Sequence, residues 1–284
     1  MGAALVTAPG VAGVVFTGSA EVARIINRTL AAKDGPITPL IAGTGGINAM
    51  LVDSSALPEQ VADAVVQSAF RSAEQRCSAL CLLCLHDSIA DKVIAMIQGA
   101  VQALIVGNPA DLATDVGPVI DRAAFDNIGK HLQGLKAASK APPAHTRKAR
   151  AAPDLIANLI TPTAFEIGSA SDAKHEIFGP VLQIVRWHGE PGAVIAQINA
   201  LGYGLTLGIQ TRIDSRAQAL AAAAQVVNIY INRNMIGAVV GVQPFGGEGL
   251  SGAGPNYLVR FCAEQTVTVN TTAAGGNAAL LAGS

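Results

Sequence analysis

The sequence predicts an α/β protein whose core is built on buried parallel strands. An apolar stretch rich in β-branched residues at 11–17 ends in Thr17-Gly18-Ser19 and precedes residues with helical apolar spacing at 21–26, which indicates a strand, a turn and a helix. The same alternation recurs further along the chain. The two longest apolar runs, at 79–85 and 236–242, have the length of buried parallel strands, and neither reaches the roughly twenty residues that a membrane span requires.

The individual elements follow from the apolar periodicity. Strands are predicted at 11–17, 39–42, 49–52, 80–86, 181–187 and 226–231, and helices near 21–26 and at 57–73, 89–106 and 215–224. A basic, proline-rich segment at 139–153 lacks large apolar side chains, so we expect an exposed, mobile connection there. The tail from residue 273 has little to pack against unless a partner subunit covers it.

Composition restricts the classes of function. The 284 residues are 50% hydrophobic and 14% charged, so the chain can bury a large core in one large domain or two small ones. A formal net charge of −1 gives no basis for binding nucleic acid or an anionic membrane surface and favours a small neutral or zwitterionic substrate. Only four cysteines and no basic leader predict a reducing, cytoplasmic location without a membrane partner.

Gly18 and Ser19 stand at the predicted turn between a strand and a helix. Free backbone N–H groups and the positive end of the helix dipole would favour a phosphate at this position. A simple helix N-cap explains the same two residues and is the more frequent case. Spacing alone therefore leaves both interpretations open.

Cys77 lies after a predicted helix and before a buried strand. It would be a nucleophile if backbone N–H groups or a cation lowered the pKa of its thiol, whereas a buried structural cysteine is the commoner outcome. The spacing of Cys77, Cys81 and Cys84 also resembles an iron–sulfur motif. A strand would direct Cys81 and Cys84 to opposite faces, which argues against a cluster.

The five histidines lack metal-ligand spacing, so no metal site is predicted.

Two further segments have the composition of binding loops. Glu176-Ile177-Phe178-Gly179-Pro180 offers a carboxylate suited to ribose hydroxyls and a ring suited to a planar cofactor, although an exposed turn would have the same sequence. Residues 243–252 are too rich in glycine for a core element and fit either a substrate loop or a plain connection.

Five motifs in a fixed order carry a resemblance to the aldehyde dehydrogenase superfamily. They are Phe16-Thr17-Gly18-Ser19, Thr44-Gly45-Gly46, Gln75-Arg76-Cys77, Glu176-Ile177-Phe178-Gly179-Pro180 and Pro244-Phe245-Gly246-Gly247. Through residues 48–50, 52–58, 115–121 and 232–241, the chain resembles the C-terminal half of the L-glutamate γ-semialdehyde (pyrroline-5-carboxylate) dehydrogenase module of the bifunctional proline utilization A proteins. The resemblance covers nearly the whole chain and is poor only in the basic segment.

The resemblance implies oxidation of L-glutamate γ-semialdehyde, a small-molecule aldehyde, to glutamate in proline catabolism. Cys77 would be the nucleophile. Ser78 and the backbone of Gly237 and Ala238 would hold the substrate carboxylate, and Phe245 would line the aldehyde pocket.

The resemblance also implies NAD as the cofactor. Gly18 and Ser19 would lie at its phosphates, Glu176 at the nicotinamide ribose, and Phe178 beside that ribose.

Two positions depart from the family pattern. The family places a glutamate, the general base, directly before Thr44-Gly45-Gly46, and this chain has Gly43 there; loss of a positioned base costs about two to four powers of ten in rate. Glu74 stands where the family has glycine, and its charge is expected to raise the pKa of the Cys77 thiol. The half of the family fold that precedes these motifs is also absent from the sequence.

The expected architecture is an aldehyde dehydrogenase-like catalytic domain at 43–249, a remnant of the Rossmann-type NAD-binding domain at 1–42, and an assembly segment at 250–284. Residues 266–270 would form a β segment that reaches a partner subunit, so a homo-oligomer is expected. Two hypotheses remain: an impaired dehydrogenase fragment, favoured by Cys77, and a non-catalytic oligomerisation module or one that complements a separate N-terminal half, favoured by Gly43.

Overall fold

A computed structural model describes residues 1–138, 144–145, 158–238 and 242–252. The described strands are β1 Val14–Thr17, β2 Leu40–Gly43, β3 Asn48–Val52, β4 Leu80–His86, β5 Ala144–His145, β6 Thr163–Glu166, β7 Val181–Trp187, β8 Tyr203–Gly204, β9 Thr206–Gln210, β10 Asn228–Ile231 and β11 Glu248–Gly249. The described helices are α1 Gly2–Thr7, α2 Ala20–Ala31, α3 Pro58–Ala69, α4 Asp87–Ala103, α5 Arg122–Ala138, α6 Pro191–Ala200 and α7 Asp214–Ala223.

A seven-stranded sheet forms the centre of the molecule, in the order β10-β9-β3-β4-β7-β6-β5. Every neighbouring pair in it is parallel except β5 with β6. Strands β1 and β2 form a separate parallel pair, and β8 and β11 form a short antiparallel pair. The alternation of helices with parallel strands confirms the predicted α/β class.

Hydrophobic side chains cover both faces of the central sheet. On one face Leu83 belongs to a cluster with residues of α3 and α4. On the other, Leu82 belongs to a cluster with residues of α6 and α7. Because both faces are buried, β4 is apolar along almost its whole length, as expected for a central parallel strand.

Two predicted strands, 80–86 and 181–187, have the bounds that the structure gives to β4 and β7. Strand β1 is shorter than predicted, because pairing starts only where the Val14 N–H donates to the Pro39 carbonyl, at 3.0 Å. Pro39 has no N–H of its own to extend the ladder. Residues 11–13 are therefore irregular.

Helix α3 ends earlier than the predicted 57–73. A short 3-10 turn, Arg71–Glu74, follows it, and Ser72, Ala73 and Glu74 have φ values of 57°, 51° and 57°. Left-handed backbone cannot continue a right-handed helix. Helix α4 begins two residues before the predicted 89–106, where the His86 ring accepts a hydrogen bond from the Ser88 N–H at 3.2 Å.

The prediction of a strand at 236–242 is wrong where the structure describes it. Residues 236–238 are irregular, Gly237 has a φ of 84°, and the Val242 side chain is 79% exposed. A left-handed residue interrupts extended backbone, so this apolar run lies in a loop. Residues 239–241 are outside the described chain.

The expectation that Cys81 and Cys84 point to opposite faces is also wrong. Both contribute to the same hydrophobic cluster, with Leu82. Asn48 aligns with Leu80 while the next residue of β3 aligns with Leu82, so the register shifts at Cys81. A bulge of this kind breaks the alternation of side chains along a strand.

Several expectations fall outside the described residues. They concern most of the 139–153 segment, the β segment at 266–270 and the tail from 273. Among the described residues, no helix combines the length and apolarity needed to cross a membrane.

Candidate active site

Cys77 opens into a cavity of about 270 Å³ at the ends of β2, β4, β9 and β10. The structure brings six of the residues singled out from the sequence to the wall of this cavity: Gly43, Cys77, Ser78, Gly237, Ala238 and Phe245. Phe245 is 40% exposed. Residues from three distant parts of the chain therefore meet around one thiol.

The loop that carries Cys77 is held by hydrogen bonds from its neighbours. The Asn48 Nδ2 amide donates to the carbonyls of Cys77, at 2.7 Å, and Ala79, at 2.8 Å. Gln75 accepts at Oε1 from the Ile120 N–H, at 2.9 Å. These bonds fix the backbone on either side of the thiol, which holds a reacting group in one position.

Glu74 anchors the left-handed turn before this loop. Its side chain is buried, and its Oε2 accepts a hydrogen bond from the Val181 N–H at 3.0 Å. Burial, the largest effect, raises the pKa of Glu74 well above its usual range, and the neighbouring Glu176 charge adds to the rise. The Glu74 carboxyl therefore favours its neutral form. Its hydrogen-bonding thiol is that of Cys81 and not that of Cys77.

The pKa of the Cys77 thiol is raised, mainly by burial. The backbone N–H groups of Cys77 and Ser78 face the sulfur and favour the thiolate, and the charge of Glu176 opposes them. The predicted direction of the shift is confirmed, but its electrostatic source is Glu176 rather than Glu74. Glu74 is not among the groups whose charge acts on Cys77, and its own charge acts on the Cys81 thiol instead.

Gly43 ends β2 at the wall of the cavity. A Cβ atom built on it would meet only the Thr17 Oγ1, at 3.8 Å. The position that the family resemblance assigns to the general base is therefore open space that a larger side chain could enter, and no carboxylate projects from it here.

The four residues predicted at the cofactor lie outside this cavity. The Gly18 N–H donates to the Gly43 carbonyl at 3.2 Å, which joins the β1–α2 turn to the cavity edge. Ser19 is the N-cap of α2, and its Oγ accepts from the Val22 N–H at 3.2 Å. Phe178 has a φ of 53°, and its carbonyl accepts from the Gln75 Nε2 at 3.4 Å.

Glu176 is turned towards the backbone of the Thr44-Gly45-Gly46 segment. Its Oε1 accepts a hydrogen bond from the Gly46 N–H at 2.9 Å. Burial raises the pKa of Glu176, although the Gly46 N–H opposes the rise. This orientation places the carboxylate beside the segment that follows Gly43.

The turn at Gly18 and Ser19 suits a phosphate in part. Helix α2 has twelve residues and an exposed first turn, which gives a positive dipole end. Glu21 adds a negative charge to the same turn, so this turn favours an anion less than a helix N-terminus without an acidic residue would.

In the described part of the chain, no three His, Cys, Asp or Glu side chains group together in a way that could hold a metal ion.

Sequence reasoning missed the roles of Asn48 and Gln75. Both stand within motifs that carry the family resemblance, but a polar side chain next to a glycine-rich or cysteine-containing motif has many possible partners. Only the folded chain reveals that these two amides brace the thiol loop.

Comparisons with known proteins agree with this arrangement. The model of the aldehyde dehydrogenase family matches residues 1–271. The bifunctional protein PutA of Klebsiella aerogenes is 50% identical over 271 residues, which are 92% of this chain and 21% of that protein.

Solved structures give the same result. A crystal structure of a bifunctional proline utilization A (PutA) protein superposes with a TM-score of 0.87 and 55% identity, covering 96% of this chain and 28% of that one. The 1-pyrroline-5-carboxylate dehydrogenase from Thermus with bound NAD superposes with a TM-score of 0.80 and 30% identity, covering 89% of this chain and 48% of that one. The chain thus spans about half of the Thermus enzyme and a smaller part of PutA, and it belongs to the aldehyde dehydrogenase family.

Proposed function

We propose that the chain carries the thiol site of an NAD-dependent L-glutamate γ-semialdehyde dehydrogenase, which oxidises this aldehyde to glutamate. The observation that supports it is the meeting of Cys77 with Ser78, Gly237, Ala238 and Phe245 around one cavity. The relatives named 1-pyrroline-5-carboxylate dehydrogenase and PutA supply the substrate class.

Cys77 is the covalent nucleophile in this proposal. Its sulfur attacks the aldehyde carbon, and after oxidation the resulting thioester is hydrolysed to release the acid. The backbone N–H groups that face the sulfur stabilise negative charge that develops at the site.

The substrate carboxylate binds to the Ser78 hydroxyl and to the backbone N–H groups of Gly237 and Ala238. The left-handed backbone at Gly237 supports this role, because such turns present successive N–H groups to an anion. Phe245 packs against the aliphatic part of the substrate.

NAD would be held by the turn at Gly18 and Ser19, with Glu176 at the nicotinamide ribose and Phe178 beside it. The exposed N-terminus of α2 supports the phosphate position. When bound, NAD supplies the acceptor for the hydride that the substrate loses. Glu176 would have to leave the Gly46 N–H in order to reach the ribose.

The test is NADH formation from purified protein, NAD and L-glutamate γ-semialdehyde, followed by absorbance. We expect slow turnover in the parent chain, and an increase of about two to four powers of ten in Gly43→Glu, since Glu176 is engaged at the ribose when NAD is bound and a carboxylate at position 43 then supplies the base. The open space at Gly43 accommodates the side chain. Cys77→Ala is the control, and turnover that survives it, or no turnover in either the parent or Gly43→Glu, would contradict the proposal.

A second candidate is that the chain complements a separate N-terminal half of the same fold. A groove of about 600 Å³ runs along α1, β1 and α2 and is lined mainly by apolar side chains. In it Val15 is 60% exposed and Ile25 is 48% exposed. Apolar surface of this kind is typical of an interface.

Co-expression with the N-terminal half of a related 1-pyrroline-5-carboxylate dehydrogenase tests this candidate. We expect the two to co-elute on size exclusion, and the double variant Val15→Asp, Ile25→Lys to elute separately. Leu112→Asp, which changes a fully exposed side chain outside the groove, is the matched control. Self-association of the chain alone in the same experiment would instead support the homo-oligomer.

A further inference from the structure

Glu176 occupies the space that a side chain at Gly45 would need. A Cβ atom built on Gly45 would collide with both carboxylate oxygens of Glu176. Its Oε1 accepts from the Gly46 N–H at 2.9 Å. The carboxylate thus lies against the Gly43-Thr44-Gly45-Gly46 segment, two residues beyond the position where the family pattern keeps its base.

Three hydrogen bonds connect this carboxylate to the thiol loop. Gly46 binds Glu176, Asn48 binds the Cys77 carbonyl at 2.7 Å, and Gln75 binds the carbonyl of Phe178 at 3.4 Å. The segments that carry Glu176 and Cys77 are therefore braced against each other and against the end of β2. The negative charge of Glu176 acts on the Cys77 sulfur across this junction.

The surroundings of Glu176 suit proton transfer. Burial raises its pKa, which makes the carboxylate a stronger base than an exposed glutamate. Within the described part of the chain, the other titratable groups on which its charge acts are Glu74, Cys81 and Tyr203. Glu74 and Cys81 are buried, whereas Glu176 is only half-buried, so Glu176 is the carboxylate beside the thiol loop that can exchange a proton with solvent.

We propose that Glu176 is the proton acceptor of the Cys77 site, in the place of the carboxylate that position 43 lacks. This inference rests on the proposed function for the assignment of Cys77 as nucleophile. Glu176 has this role while its carboxylate is hydrogen-bonded to the Gly46 N–H. The role is separate from the binding of the nicotinamide ribose that the family resemblance implies.

The proton balance can be written for an ester that acylates the thiol. The Cys77 sulfur bonds to the acyl carbon, the thiol proton passes to Glu176, the ester C–O bond breaks and the leaving group departs as its anion. Glu176 then releases that proton to solvent. In the second half, Glu176 takes a proton from water as the water oxygen bonds to the thioester carbon, the C–S bond breaks, and Glu176 returns that proton to the departing thiolate as the acid leaves.

The main experiment uses p-nitrophenyl acetate without NAD, so it does not depend on cofactor binding. We expect a burst of p-nitrophenol from acylation of Cys77, followed by slower steady hydrolysis. In Glu176→Gln the acyl-enzyme should persist about two to four powers of ten longer, since the base is lost while the amide oxygen can still accept from Gly46. Adding Gly43→Glu to that variant should restore hydrolysis.

Three controls define the result. Cys77→Ala must abolish the burst, and circular dichroism must give the parent spectrum for each variant. Glu176→Asp keeps the charge but withdraws the carboxylate, so it should hydrolyse the acyl-enzyme more slowly than the parent. An acyl-enzyme lifetime that is unchanged in Glu176→Gln, or absence of a burst in the parent, would overturn the inference.

Alkylation by iodoacetamide gives a readout without turnover. Removing the Glu176 charge should move the midpoint of Cys77 alkylation to lower pH, whereas Glu176→Asp should leave it near that of the parent; mass spectrometry assigns the modified cysteine. An unchanged midpoint in Glu176→Gln would count against the inference. A protein that passes both tests but forms no NADH, even as Gly43→Glu, would refute the proposed function and leave this inference intact.

Discussion

The seven-stranded sheet and the two-stranded β1–β2 sheet are built from similar apolar strands but have different environments. In the larger sheet, Leu82 and Leu83 are fully buried on opposite faces. In the smaller one, Val15 is 60% exposed and the neighbouring Ile25 of α2 is 48% exposed. An apolar strand is stabilised only when other elements cover it, and a two-stranded sheet alone is marginal.

The two parts of the proposed active site lie on different sheets. Cys77, which opens into its cavity at the entry to β4, is carried by the sheet that is covered on both faces, whereas Gly18 and Ser19, the predicted phosphate residues, belong to the incompletely covered region. The thiol site can therefore be rigid while the predicted NAD side remains weakly held.

The largest expected effect comes from truncating one strand residue in each region. Leu82→Ala should lower the free energy of unfolding by about 2–5 kcal/mol, because it leaves a cavity in a packed core. Val15→Ala should change it by less than about 0.5 kcal/mol, since its side chain is already largely exposed. Urea denaturation measures both values, and equal losses would show that β1 is buried in solution.

Amide hydrogen exchange sharpens the same contrast. Amides of β3 and β4 should exchange only through global unfolding, whereas amides of β1 and β2 should exchange through local openings of much lower free energy. Mass spectrometry of peptic peptides separates the two sets. Equal protection would mean that the two sheets unfold as one cooperative unit.

Glu74→Gln tests the buried carboxyl beside the larger sheet. Because its pKa is raised in the folded chain, the folded state keeps a proton that the unfolded state releases, and stability falls as pH rises above about 4.5. Glutamine has no titratable proton, so Glu74→Gln removes this loss of stability at higher pH. The free energy of unfolding of the variant should match that of the parent near pH 4 and exceed it at pH 7.5. The difference should be about 1.4 kcal/mol for each pH unit by which the folded chain raises the pKa.

Urea midpoints at the two pH values measure this difference. Glu176 also has a raised pKa, and because its charge contributes to the rise at Glu74, the difference includes the interaction between the two carboxyls. A difference that is independent of pH would indicate that Glu74 is ionised in the folded chain.

The smallest global effect is expected for Ser19→Ala. Loss of the N-cap costs about 0.5–2 kcal/mol of local helix stability. Since α2 belongs to the weakly covered region, exchange of the Val22 and Ala23 amides should accelerate while the urea midpoint stays unchanged. Ser19→Asp, which keeps an acceptor at the cap, is the matched control, and a lowered midpoint in Ser19→Ala would tie α2 to the global core.

The local pattern of apolar residues was sufficient to predict the strands that are buried on both faces. The bounds of β4 and β7 follow from continuous apolar runs, because only a central strand tolerates such composition. It was insufficient at 71–74, where the helical pattern continues but three residues adopt left-handed backbone. That turn is held by the Glu74 bond to Val181, which is 107 residues away in the chain.

The sequence by itself determined the α/β class, the family and the position of Cys77, since these depend on periodicity and on ordered short motifs. Tertiary structure alone decided what surrounds the thiol. It placed Asn48 behind the loop, raised the pKa of Glu74 by burial, and brought the Glu176 carboxylate onto Gly46. The physical reason is that charge, burial and hydrogen-bond partners depend on distances in space between residues far apart in the chain.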